Sequence, residues 1–276
     1  MALRFAPHQK NSIHRTLSKQ PNHTLVDTMT DSSTSACCNL PPVEAKYTNK
    51  GEETQFCDIK TYITGPKDAK EAIFILYDVF GMAPQTLQAA DLLASQGFRV
   101  YVPDLLMGEY VKPEWYSGSE EGNQKRQEYF SRFPGSTSSQ SEQVSKVITA
   151  IKAAGQDKIG LVGLCWGWKA AVLAKELNQA SALAGNHPSM TAKDDVEKID
   201  IPVLLQPSKN EDAEIMKAIY EGMEKKLPGK NKLTEFPNSA HGWTAARADL
   251  ESEEGRKTYS DAWSGVASFF KTHLSS

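Results

Sequence analysis

No apolar run in the 276-residue chain approaches the roughly 18 to 20 residues that cross a bilayer, and none forms the short core of a secretion signal. The chain is therefore expected to be soluble. Cysteine is scarce: Cys37, Cys38, Cys57 and Cys165 are the only four, and no C-x-x-C pair is present. They are too few and too scattered for a disulfide framework or a zinc site, so free thiols in a reducing, cytoplasmic setting are expected, with no metal. An excess of one charge is also missing. The 31 Lys and Arg against 34 Asp and Glu leave a net charge of -3, which gives neither nucleic acid nor anionic membrane a reason to bind. A small molecule is the natural partner.

What is present is enough apolar residue, 39%, for one sizeable core. Residues 1–36 stand apart from it. They carry Arg4, Lys10, Arg15 and Lys19 with no acid before Asp27, then a Ser/Thr-rich stretch. That composition reads as a disordered extension or as a mitochondrial presequence, which would move the protein to that organelle. Residues 37–276 then read as one α/β domain. Apolar bursts at 72–77, 98–102, 159–164, 180–184, 203–205 and 233–236 alternate with helical patterns, as in a mostly parallel sheet covered on both faces. Val144, Val147, Ile148 and Ile151 recur at helical spacing, as do Tyr259, Trp263, Val266 and Phe270. A helix from Pro84 is expected to end at Gly97. The polar and aromatic excursion over 108–139 is longer than an ordinary connection and is expected to hold a helix and form part of a lid.

Within this alternation the sequence Gly163-Leu164-Cys165-Trp166-Gly167 follows a buried strand pattern and precedes good helix formers. Gly-x-nucleophile-x-Gly between strand and helix is the nucleophile elbow of α/β-hydrolases: the glycines make room for a strained turn that exposes the central side chain. A sulfur there lies near unpaired N–H groups that favour a thiolate and a developing oxyanion. The competing reading is a buried cysteine that only packs. Trp168 stands where such elbows often have a further glycine.

An α/β-hydrolase places an acid and then a histidine after later strands. Of six histidines, His8, His14 and His23 lie in the N-terminal segment, His273 ends the last helix, and His187 comes before any suitable acid. His241, after the last strand pattern and before the last helix, is correctly placed. For the acid, Glu211 and Asp212 follow the strand at 203–205; Asp212, at the junction with the next helix, is preferred, although it also suits a helix N-cap, and Glu211 is held in reserve. His241 would accept the thiol proton, Asp212 would orient it, and Cys165 would carry the acyl intermediate. The backbone N–H of Trp166, with that of Val79 or Phe80, would hold the oxyanion.

The stretches CCNLPPV, YITGP, YDVFGM, YVPDLLMG, GLCWG, HPS and AHGW together resemble the dienelactone hydrolases, carboxymethylenebutenolidase-like enzymes, in their fungal and animal branch. The likeness spans about residues 36–275. It implies an α/β-hydrolase fold and a Cys165-Asp212-His241 triad that opens lactones or cleaves ester-like bonds without a cofactor, in a monomer or homodimer. It implies further that Asp78 stands where the family usually has a glutamate that takes the thiol proton when substrate binds. Arg247 is the nearest match to an arginine that holds a substrate carboxylate. Trp168, His187 and Trp243, with Trp166 and Trp115, would line an apolar pocket suited to a substrate larger than a small diacid. Two alternatives stay open: a tailoring enzyme using the same site for lactonisation, isomerisation or carbon–carbon cleavage, and a binding protein without turnover.

Overall fold

In a computed structural model, residues 43–275 are described, within one compact unit. The segment read as an extension, and Cys37 and Cys38, lie outside the described residues. Eight strands run in chain order: β1 (Glu52–Phe56), β2 (Ile59–Thr64), β3 (Glu71–Leu76), β4 (Arg99–Pro103), β5 (Lys158–Leu164), β6 (Ala182–Asn186), β7 (Val203–Gln206) and β8 (Lys232–Leu233). Between and after them lie α1 (Pro84–Ala94), α2 (Glu120–Ser131), α3 (Ser141–Ala153), α4 (Trp166–Val172), α5 (Ala213–Lys226) and α6 (Glu253–Leu274). The sheet order is β1-β2-β4-β3-β5-β6-β7-β8. From β4 to β8 all pairings are parallel, and β1 and β2 join the β4 edge antiparallel. This is the α/β-hydrolase fold expected above. Among the described residues no helix is long and apolar enough to cross a membrane.

Five of the six apolar bursts overlap β3 to β7, because a parallel strand buried on both faces must be continuously apolar, and the sixth meets the short, partly exposed β8 only at Leu233. Ala72 to Leu76 and Leu161, Val162 and Leu164 are fully buried. The hairpin β1–β2 is not visible in that pattern. Its edge strand, Glu-Glu-Thr-Gln-Phe, is almost wholly exposed, and its turn is made by Cys57 and Asp58, both at positive φ (55° and 64°). Charged residues suit an open sheet edge and remove the apolar signal that marks the other strands.

Helices cover both faces. α1 packs on α6, and α3 on α4. Glycines on β5 let two of them approach: a Cβ on Gly160 would strike Phe270 of α6, and one on Gly163 would strike the backbone of Trp168 in α4. Three residues apart on a strand, these positions face opposite sides of the sheet. The 108–139 excursion does hold a helix, α2, whose first turn is capped by Ser119. Gly97, at φ 95°, follows α1 as expected.

At the β5–α4 turn a Cβ on Gly167 would collide with the Leu76 carbonyl of the neighbouring strand β3. A backbone group in the sheet centre cannot yield as a side chain can. Gly167→Ala is therefore expected to lower unfolding stability by about 2 kcal/mol or more, read as a drop in denaturant midpoint. An unchanged midpoint would contradict this account of the turn.

Candidate active site

Loops leaving the C-terminal ends of β3, β5, β6, β7 and β8 converge above the sheet, where open α/β sheets bind ligands. They bring Asp78, Cys165, Ser189, Glu211 and His241 to one place. Cys165 lies at φ 54° and ψ -114°, a conformation that strains an L-residue by about 1–3 kcal/mol. Its neighbours hold it there. The Cys165 N–H donates to the Asn186 carbonyl at the end of β6 (3.2 Å), and the Cys165 carbonyl accepts from Ser189 N–H (3.0 Å) and Trp168 N–H (3.2 Å).

His241 is fixed from two sides by the β7 loop. Its N–H donates to Asn210 Oδ1 at 2.9 Å, and its Nδ1 lies 2.6 Å from Glu211 Oε1. The Glu211 side chain is only 4% exposed, and its other oxygen accepts the Ser208 N–H. This corrects the preference for Asp212. Asp212 is exposed, and its Oδ1 accepts from Glu214 N–H (2.9 Å) and Ile215 N–H (3.1 Å), which closes the first turn of α5. A short acid at the N-cap folds back on its own helix. The longer Glu211, one residue outside it, is left to reach the histidine. The signal was in the pair itself: of two adjacent acids before a helix, one caps and the other is free.

Burial disfavours the His241 imidazolium, but hydrogen bonds to Cys165 and Glu211 outweigh it and raise the pKa from 6.5 to about 10. Behind His241, His187 is fully buried at φ 39°, its ring 4.9 Å from that of His241 and 5.3 Å from that of Trp243. Burial and the neighbouring His241 hold its pKa well below the ordinary value, so it stays neutral. It backs the site rather than lining it, contrary to expectation.

Asp78 is buried beside the site. Its Oδ1 accepts from Phe80 N–H at 2.9 Å, Ala246 N–H is a second backbone partner, and Arg247 and His241 lie near enough to favour its charge. Burial nonetheless prevails and raises its carboxyl pKa to about 6. Two corrections follow. The carboxylate is spent on backbone groups of two loops rather than on the thiol, and the Phe80 N–H is occupied, which leaves Val79 as the candidate oxyanion donor on this side.

Cys165 opens into a small cavity of about 180 Å³ lined by Asp78, Val79, Phe80, Tyr116, Ser189, His241, Gly242 and Arg247. The Arg247 guanidinium lies 5.0 Å from the centre of the Phe80 ring and 5.3 Å from that of Tyr116. A larger groove of about 900 Å³ lies on the other side of His241 and Arg247, walled by Phe236, Trp243 and the start of α6. The expected tryptophan lining is not found. Trp166 and Trp168 are fully buried: the Trp166 Nε1 donates to the Gly135 carbonyl (2.7 Å), and the Trp168 indole fills the space over Gly185 of β6. That packing explains why a tryptophan is accommodated after the elbow. Trp115 packs on Tyr129 (5.9 Å), no tryptophan lines the inner cavity, and Trp243 borders the outer one. Tyr116 and Ser189 were not singled out from sequence, since one lies in an irregular segment and the other touches Cys165 through its backbone.

The model of the dienelactone hydrolase family matches residues 59–274. An uncharacterised AIM2 family protein of Schizosaccharomyces pombe is 33% identical over 82% of this chain and 92% of its own length. The human carboxymethylenebutenolidase homolog is 32% identical over 44% of this chain and 48% of its own. Among solved structures, a putative dienelactone hydrolase from Klebsiella pneumoniae superposes with TM-score 0.61 at 17% identity, covering 82% of this chain and 99% of the other.

The shift of Asp78 has a sign that can be tested. Its folded pKa near 6 exceeds the ordinary 3.8, so its contribution to stability is present below pH 3.8 and lost as pH rises through 6. The stability of Asp78→Asn relative to the parent should therefore grow between pH 4 and pH 8, by on the order of 1–3 kcal/mol. Denaturant titrations at the two pH values measure it, and a constant offset would refute the assignment.

Proposed function

The chain belongs to the dienelactone hydrolase family, hydrolases of ester bonds, and from that premise we propose that it opens a lactone or cleaves an ester or thioester through an acyl intermediate on Cys165. The observation that carries this reading is that Cys165, on a strained elbow, and His241, whose Nδ1 lies 2.6 Å from Glu211 Oε1, line one small cavity. With Nδ1 committed to Glu211, His241 presents Nε2 to the sulfur and, as the imidazolium that its raised pKa favours, already holds a proton when the sulfur attacks the carbonyl carbon. The negative charge that develops on the carbonyl oxygen is met by the Trp166 and Val79 N–H groups, neither of which donates to another group among the described residues. Collapse of the tetrahedral intermediate expels the alcohol oxygen, which takes the proton from His241. Water, deprotonated by the same imidazole, then attacks the thioester, and cleavage of the C–S bond returns the thiol and the carboxylic acid. In a lactone the expelled oxygen stays tethered to the acyl group, and the product is a hydroxy acid.

Glu211 stabilises the imidazolium formed at each proton transfer and holds the tautomer. Asp78 serves another purpose: by accepting N–H groups from the β3 loop and from Ala246, it ties the oxyanion side of the site to the loop that carries His241 and Arg247. Arg247, laid against two aromatic rings at the cavity, is placed to meet a substrate carboxylate.

Cys165→Ala should abolish turnover of an activated ester while leaving the melting temperature close to that of the parent. Glu211→Gln should reduce kcat by about 100-fold or more, by analogy with loss of the orienting acid in other triads, and Asp212→Asn should leave it within about threefold. The reverse ranking of the two acid variants in steady-state kinetics would overturn the assignment of Glu211.

A further inference from the structure

The two cavities that meet at His241 and Arg247 differ about fivefold in volume, 180 against 900 Å³, and the chemistry orients a substrate between them. On the hydrolytic reading above, the carbonyl carbon must lie at Cys165 with its oxygen toward Val79, both of which line the inner cavity. The departing oxygen must lie at His241, which supplies its proton and stands on the boundary with the outer groove. The acyl chain is thereby directed into the inner cavity, toward Phe80 and Tyr116, and the leaving group toward the groove walled by Phe236 and Trp243.

Tyr116 closes the acyl side. It belongs to the segment that follows β4, in a short helical turn at Pro113–Tyr116, and two guanidiniums lie near its ring. Arg247 lies 5.3 Å from the ring centre and Arg126 of α2 lies 4.6 Å from it, while Phe80 packs against it at 6.3 Å. Arg126 is itself anchored to the Trp115 carbonyl and to Asn123. Two cation–π contacts therefore help to keep in place a residue that is 44% exposed. At roughly 30 Å³ for each water-sized group, the inner cavity holds about six non-hydrogen atoms.

We propose that Tyr116 is the residue that sets acyl-chain specificity, restricting the enzyme to esters or lactones of compact acyl groups, up to about four carbons, while the outer groove admits much larger leaving groups. The selectivity is steric and comes from the ring, because its plane and its two cationic neighbours fix the far wall of the cavity.

Two ester series test this on the full-length chain: p-nitrophenyl esters from acetate to octanoate, and acetate esters of alcohols of increasing size. For the parent, kcat/KM should fall by about tenfold or more beyond butanoate in the first series and vary little in the second. Tyr116→Ala should flatten the first series without changing the second, and Tyr116→Phe, which keeps the ring, should retain the parent's chain-length profile. Melting temperatures establish that each variant is folded. A Tyr116→Ala profile parallel to the parent's would overturn the inference, as would a Tyr116→Phe profile matching that of Tyr116→Ala, since the hydroxyl rather than the ring would then govern selection. Turnover undiminished in Cys165→Ala would instead overturn the hydrolytic reading, and this inference with it.

Discussion

A cysteine held at φ 54° between a central strand and a short helix is the constraint around which the site is arranged. Such a backbone is unfavourable for any side chain, and it persists because its surroundings permit nothing else. Gly163 and Gly167 admit the close approach of β3, β5 and α4, and the end of β6 clasps Cys165 through both its N–H and its carbonyl. Even the bulk of Trp168 serves this packing: its indole occupies the room left by Gly185 and makes the elbow's floor part of the core. The strain raises the sulfur above the sheet and directs it toward His241.

Around that point two acids divide the electrostatic work by length and position. Glu211 comes from a loop that also supplies Asn210, so one segment fixes both the backbone and the ring of His241. Its carboxylate and the sulfur together keep the imidazolium favourable despite burial. Asp78 is one methylene shorter and is satisfied by backbone N–H groups, and burial pushes its carboxyl toward neutrality. The protein therefore places a hydrogen-bonded acid beside His241 and, near Cys165, a second acid whose carboxyl burial holds above the ordinary range.

What could be read from the residues followed what burial imposes on composition. Strands β3 to β7 were legible because both their faces are covered, and α3 and α6 because they bury one stripe. The hairpin β1–β2 was not, since its edge is charged and its turn rests on the backbone conformations of Cys57 and Asp58 rather than on glycine. That Cys165 and His241 would come to one cavity was legible from their order along the chain. The acid was misplaced by one residue, because a sequence shows two neighbouring carboxylates and not which of them the helix will claim. The pocket-lining roles expected of the Trp166, Trp168 and His187 side chains failed for a related reason: large polar-tipped rings near the candidate site pack beneath it more readily than they line it. Tyr116 lies in a segment without periodicity, and only its two guanidinium neighbours reveal its position.

The central claim is that Cys165 carries the acyl group, and rapid acid quenching during turnover of an activated acetate ester tests it most directly. Mass analysis of tryptic peptides should find one added acetyl group on the peptide spanning residues 159–169, Ile-Gly-Leu-Val-Gly-Leu-Cys-Trp-Gly-Trp-Lys, and hydroxylamine at neutral pH should remove it, as expected of a thioester. Acetyl on another peptide, or an unlabelled protein under conditions where Glu211→Gln also leaves no labelled intermediate, would contradict the account.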